Sequence, residues 1–242
     1  MSERDEAGMM GLAGAGPGLV ALRAGAVDVA PQSPRARPRL ALLADEVAGC
    51  RRCVGAGLLA EAHPVWRGRG TSRARLLVVG QAPGASGHLH PKPFTGAAGR
   101  TLRQWFAGAG FPEDAIHDGS RVFLTSVTKC FPGPGPGDKG DRMPSPAEVA
   151  LCRPYLDREF ALVRPRVVLV LGRLAATELV GRRPLTDLVG PEQVIERLGR
   201  TYPAIVLPHP SGISRWLNDP EHQLRHRQAL AGLADLRERF DL

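Results

Sequence analysis

Lysine is almost absent from this chain: of its 32 Lys and Arg residues, only Lys92, Lys129 and Lys139 are lysines. The net charge of +8 is therefore carried almost wholly by arginine. Such an excess favours a polyanionic partner through counterion release. A GC-rich genome, which replaces Lys with Arg and adds Ala, Gly and Pro, produces the same composition without one. Long apolar runs are missing too, and none approaches the ~20 residues that a membrane helix needs. The N-terminus, MSERDEAGMMGLAGAGPG, has no apolar core bounded by basic residues. No secretion signal is read there, and a cytoplasmic location is expected. No internal repeat is visible.

Residues 1–38 are rich in Ala, Gly, Pro and Arg without a sustained period, and are predicted to form a disordered extension. The remaining residues, 39–242, are enough for one α/β domain of ordinary size. Leu40, Leu43 and Val47 have helical spacing. Four β-type runs follow, at 76–79, 122–127, 167–171 and 204–207. Helical segments lie between them, at 99–109, 146–162 and 173–180, and a last one covers 221–240. The second of these helices starts with a Ser145 cap, Pro146 in the first turn and Glu148. Strands alternating with helices predict an α/β fold, a parallel sheet covered on both faces.

Two segments carry chemistry. Residues 80–96 read GQAPGASGHLHPKPFTG. A β-run that stops on Gly-x-Ala-Pro-Gly feeds a tight turn whose glycines permit close backbone approach and whose proline fixes the chain. With Phe94 following, this suits a pocket for a small flat group, with amides below and a ring to stack on. The second segment, HPSG at 209–212, also ends a β-run, and ligands on parallel sheets bind at such ends. His88 and His90 read as part of a solvated loop. Asp138 and Asp141, in the Gly/Pro-rich insert 131–144, read as solvent-exposed. Gly172 reads as a simple strand-to-helix turn, and Arg225-His226-Arg227 as a polar helix face.

The chain has four cysteines: Cys50-x-x-Cys53, then Cys130 and Cys152. Without a secretion signal, metal binding is favoured over disulfides. A zinc ribbon would want a second close pair. The looser spacing suits an iron–sulfur cluster at least as well as zinc, and four unconnected buried cysteines are the remaining reading.

The order CxxC, GxAPG, PFTG, a strand ending in Thr-Lys-Cys, a late cysteine and HPSG resembles the uracil-DNA glycosylase superfamily. Within it the closest branch is the iron–sulfur-containing family 4 type of bacteria and archaea. The resemblance covers about 50–239. It implies a three-layer α/β/α sandwich around a four-stranded parallel sheet, and a structural 4Fe–4S cluster held by Cys50, Cys53, Cys130 and Cys152. The implied activity is base excision: uracil is flipped out of DNA and its bond to the sugar is hydrolysed. Phe94 matches the stacking aromatic. Gly80, Gln81, Ala82 and Gly84 match the first motif, against base and water. His209 matches the histidine that stabilises the leaving base. Ser211 and Gly212 match the phosphate-holding turn. Ile213, Arg215 or Trp216 would enter the space left by the flipped base.

Two positions depart from the family pattern. Gln81 stands where the family usually carries Glu, and an amide can orient water but cannot act as a general base. Ser126 stands where the family has the asparagine that reads the uracil edge, and a hydroxyl cannot copy an amide's paired donor and acceptor. Two alternatives therefore stay open. One is a glycosylase for another deaminated base, such as hypoxanthine or xanthine. The other is a non-enzymatic module for damaged or single-stranded DNA. No lysine in the matched motifs is placed to form a Schiff base, so the expected enzyme is monofunctional. It is expected to act as a monomer.

Overall fold

The structure is a computed structural model that describes residues 36–66, 69–85, 87, 93–138, 140–211 and 215–242. Most of the expected N-terminal extension, together with His88, His90, Lys92, Lys139, Gly212 and Ile213, lies outside the described residues.

The apolar runs form strands because both of their faces can be covered. β1 (Leu76–Gly80), β2 (Val122–Ser126) and β3 (Val167–Leu171) are buried at every position, which marks parallel strands between two helical layers. β4 (Gln193–Arg197) and β5 (Arg200–Leu207) complete a five-stranded sheet of order β2-β1-β3-β5-β4. β1, β2, β3 and β5 run parallel, as the sequence pattern predicts. The expectation of four strands omitted β4, which pairs antiparallel with β5 at the edge. Leu198 and Gly199, both at positive φ (53° and 70°), reverse the chain between them. Two successive positive φ values are the signature of a tight hairpin whose twist suits the strands.

The helices are α1 (Ala36–Ala48), α2 (Arg52–Gly55), α3 (Ala97–Gly108), α4 (Pro146–Val163), α5 (Gly172–Leu179), α6 (Leu185–Leu188) and α7 (Pro220–Phe240). α4 begins where its sequence says it should. The Glu148 N–H donates to Ser145 Oγ and the Ser145 N–H to Glu148 Oε2, a reciprocal capping box behind Pro146. α1 packs on α4, α3 packs on α7, and α5 rests on β1, β3 and β5. His226 corrects the reading of its stretch as a polar face. It points inward from α7, is buried, and lies with its ring 4.7 Å from that of Trp105. Burial pushes its pKa down, and the charge of Arg227 adds to the shift.

β1 lies between β2 and β3, so the chain steps outward from β1 to β2 and then crosses back over β1 to β3. That arrangement opens a crevice at the carboxyl ends of the strands.

Candidate active site

The carboxyl ends of the four parallel strands bring together segments that are far apart in sequence. Gly80 at the end of β1 is in register with Ser126 at the end of β2. The pairing continues beyond the strands: the Val127 N–H donates to Gly80 O at 2.9 Å and the Thr128 N–H to Gln81 O at 3.2 Å. The loop carrying Gln81, Ala82 and Gly84, all half-buried, is thereby locked beside the end of β2. Phe94 closes over it, with Cζ 4.0 Å from where a Cβ on Gly80 would stand. The Phe94 backbone is left-handed, at φ 57°, a conformation that costs a non-glycine residue on the order of 1 kcal/mol. Two contacts hold it there. Arg103 Nη1 donates to the Phe94 carbonyl at 3.2 Å, and Gly99 packs so closely that any Cβ would overlap that carbonyl.

His209 follows β5 by two residues and is half-buried. Its Nδ1 accepts the Ser211 N–H at 3.3 Å. An imidazole that accepts at Nδ1 carries its single neutral-form proton on Nε2. Burial lowers the His209 pKa from its ordinary value of 6.5, with the charge of Asp141 opposing the shift. The residue is therefore a neutral ring presenting an Nε2–H. Gly172, at the end of β3, proves more than a turn. A Cβ on it would come within 3.2 Å of His209 Cβ and 3.3 Å of Cδ2, and its φ of 84° favours glycine as well. The β3–β5 register, in which Leu171 faces Leu207, sets the two residues side by side.

Ser126 is buried, and its hydroxyl donates to the Thr128 carbonyl at 2.7 Å. Its one proton is thus committed within its own loop. Gln81 Nε2 reaches the Arg142 carbonyl at 3.5 Å. The insert 131–144 folds back on itself: the Gly135 N–H donates to Gly140 O at 2.7 Å, and the Arg142 N–H to Gly133 O at 3.0 Å. Asp141 is exposed as expected, yet a Cβ on Gly84 would lie 3.0 Å from its Oδ2. Ser211 is half-buried beside His209. Arg215 is exposed ahead of a short turn, Trp216–Asn218, in which the Trp216 ring stacks on His222 at 4.2 Å.

The four cysteines arrive from four segments and line one pocket. Cys50 follows α1, Cys53 sits in α2, Cys152 sits in α4, and Cys130 lies beyond β2, where it bridges to Pro64. All four are free thiols. Among the described residues, no three His, Cys, Asp or Glu side chains are grouped as a single metal ion would require. Burial pushes the Cys53 thiol up to about 11 and Cys130 up to about 12, with the Cys152 thiol adding to both. Burial raises Cys152 as well, against the opposing charge of Lys129. A hydrogen bond already points at one sulfur: the Lys129 N–H donates to Cys152 Sγ at 3.2 Å, while burial first and then Cys50 raise the Tyr155 pKa to about 12.

Between this pocket and Ser126 lies a buried ionic network without a sequence motif of its own. Lys129 Nζ donates to Glu159 Oε2 (2.9 Å), Thr125 Oγ1 (2.9 Å) and Ser126 O (2.6 Å). Thr125 Oγ1 also accepts from Arg69 Nη1 at 2.7 Å and donates to Glu159 Oε2 at 2.6 Å. Arg69 Nη1 stands 3.8 Å from Glu159 Oε1.

Known proteins are similar to this chain in sequence. The family model described as "Uracil DNA glycosylase superfamily" matches residues 67–231. A type-4 uracil-DNA glycosylase of Archaeoglobus fulgidus is 31% identical over 173 residues, covering 69% of this chain and 79% of that protein. One from Saccharolobus solfataricus is 34% identical over 142 residues, 58% of each chain. A type-5 uracil-DNA glycosylase of Thermus thermophilus is 34% identical over 156 residues, covering 59% of this chain and 65% of its own length. This chain belongs to the uracil DNA glycosylase superfamily.

Proposed function

We propose that this protein hydrolyses the N-glycosidic bond of uracil in DNA and leaves an abasic site, without lyase chemistry. One observation carries the reading. His209, fixed by the Ser211 N–H and by Gly172, presents a neutral Nε2–H at the end of the sheet that also carries Phe94 and the Gly80–Gly84 loop. An extruded uracil stacks on Phe94, with the backbone of Gly80, Gln81, Ala82 and Gly84 against its edge and the attacking water. As the bond to the sugar breaks, charge gathers on the uracil carbonyl oxygen, and a preorganised donor there lowers the barrier. Ser211 and Gly212 hold a DNA phosphate, while Ile213 and Arg215 face the gap left by the base. Arginine-rich surface supplies the non-specific attraction for the duplex. The protein acts in the cytoplasm as a monomer.

Cys50, Cys53, Cys130 and Cys152 hold a 4Fe–4S cluster. The support is that all four thiols line one pocket, a set that matches the four-thiolate ligation of such a cluster. When bound, the cluster supplies a structural cross-link between α1, α2, α4 and the end of β2. The chain's own contribution is the thiolate set and the Lys129 N–H aimed at it.

Incubation with an oligonucleotide holding one uracil, followed by alkali, is expected to cleave the strand at that base. The purified protein is expected to be brown and to carry about four irons per chain. Intact strands after incubation with brown, folded protein would refute the uracil reading. Ser126 favours one alternative, because its hydroxyl donates to the Thr128 carbonyl instead of offering the paired donor and acceptor of an amide. Oligonucleotides holding hypoxanthine or xanthine in the same position test it directly. Gly172→Ala is expected to slow excision at least tenfold while DNA affinity holds, since the new methyl group pushes on the His209 ring. Unchanged excision by that variant would remove Gly172 from the account.

A further inference from the structure

A hydrolase of this kind needs a group to orient the attacking water and take its proton. The first-motif loop does not supply one. Gln81 carries an amide, Ala82 a methyl group, and the Ser126 hydroxyl is bonded to the Thr128 carbonyl. A carboxylate nevertheless reaches this loop from a distant part of the chain. Asp141 Oδ2 stands where a Cβ on Gly84 would be only 3.0 Å away. The missing side chain of Gly84 leaves that space open to the carboxylate.

The position of Asp141 is built rather than incidental. On one side it bridges to Pro134 across the folded insert. On the other, Arg142 grips Glu148 with both guanidinium nitrogens, at 2.8 and 2.6 Å, and so ties the insert to the first turn of α4. Gln81 completes the attachment by donating to the Arg142 carbonyl. Glutamate could not make that bond, because a carboxylate has no N–H to give. The amide that cannot serve as a base instead fastens the residue next to Asp141. The charge of Asp141 also acts on the His209 imidazole, opposing the effect of burial.

We infer that Asp141, delivered by the inserted loop, is the carboxylate that holds and deprotonates the attacking water, the task that Gln81 cannot perform. The inference rests on the uracil-excision reading. In the step, a water oxygen bonds to the sugar carbon as the sugar–uracil bond breaks. The bonding electrons leave with uracil, whose developing anion is met by the His209 Nε2–H. The water proton passes to the Asp141 carboxylate and returns to solvent or to the departed base. No oxidant or further reactant is required.

The test compares wild type, Asp141→Asn and Asp141→Glu in single-turnover excision of uracil at saturating enzyme, alongside DNA affinity, melting temperature and iron content. Asp141→Asn is expected to lose roughly 100-fold or more in rate, the usual span for a general base. Its melting temperature and iron should match wild type. Its affinity should hold or tighten, because a negative charge facing DNA has been removed. Asp141→Glu is expected to keep a larger share of the rate. Wild-type excision matched within a few-fold by Asp141→Asn would overturn the inference and leave the uracil reading intact. A rate loss that merely tracks weakened DNA binding would overturn it too. Failure of the wild type to release uracil at all would overturn the underlying reading, and this inference with it.

Discussion

Glu159→Gln is expected to lower the melting temperature by about 10 °C or more. Glu159 is fully buried and is the only carboxylate among the residues that bond to one another around Lys129, Thr125 and Arg69. Removing one partner from a buried ion pair costs about 3–5 kcal/mol, because the remaining charge is left in a medium that cannot solvate it. Here two cations would be left, Lys129 at 1% and Arg69 at 5% exposure, with only neutral partners: the Thr125 hydroxyl they share and backbone carbonyls of Val65, Leu124 and Ser126. For a domain of this length each kcal/mol is worth roughly 2–4 °C. Burial already depresses both cations' pKa values, and Glu159 opposes it in each case. Adding Lys129→Met to Glu159→Gln should recover part of the loss, since it deletes one of the two stranded charges; the double-mutant cycle isolates that coupling. A melting temperature within 2 °C of wild type for Glu159→Gln would show that water or rearrangement relieves the network. The network also explains how the cysteine pocket and the base pocket are held at fixed separation. Lys129 bonds the Ser126 carbonyl through its side chain and the Cys152 sulfur through its backbone N–H.

The parts of the fold legible from sequence are those fixed by local pattern. Leu76-Leu77-Val78-Val79 and the run Val167–Leu171 are apolar at every position because parallel strands are covered twice. Ser145, Pro146 and Glu148 announce the start of α4 because Ser145 and Glu148 satisfy backbone N–H groups that a helix start leaves open and Pro146 has none to satisfy. β4 escaped because an edge strand is only half covered: Val194 is 59% exposed and Glu196 faces solvent, while Pro203 interrupts the reading of its partner. Phe94, His209 and the four cysteines could be named because their types and order are distinctive. Gly172 and Asp141 could not be. The importance of Gly172 depends on the register that sets Leu171 against Leu207. Asp141 acquires its place only when the insert folds across to Gly84, a contact between loops that no period or motif encodes. Glu159 is one acidic residue on a helix until Lys129 and Arg69 are seen to converge on it.

His209→Ala is expected to reduce single-turnover uracil excision by about 10²–10³-fold, the usual effect of removing one preorganised donor to a developing anion, while DNA affinity stays close to wild type. The hydrogen-bond geometry makes a finer prediction. Because Nδ1 accepts from the Ser211 N–H, the ring offers Nε2–H as a neutral donor. Burial keeps it neutral by lowering its pKa below the ordinary value of 6.5. Protonation would place a second hydrogen on Nδ1, opposite a backbone donor, and forfeit that bond. Acidification through the lowered pKa should therefore slow excision rather than speed it. His209→Gln is the discriminating variant. Its amide NH2 lies at about the reach of Nε2 and is a neutral donor, so it should retain excision above the alanine level. If glutamine is as slow as alanine, the uracil anion requires a cation at this position and the neutral-donor account fails. If alanine itself excises at the wild-type rate, His209 has no part in the chemistry. The ring held between Gly172 and Ser211 would then be only a packing element of the strand end.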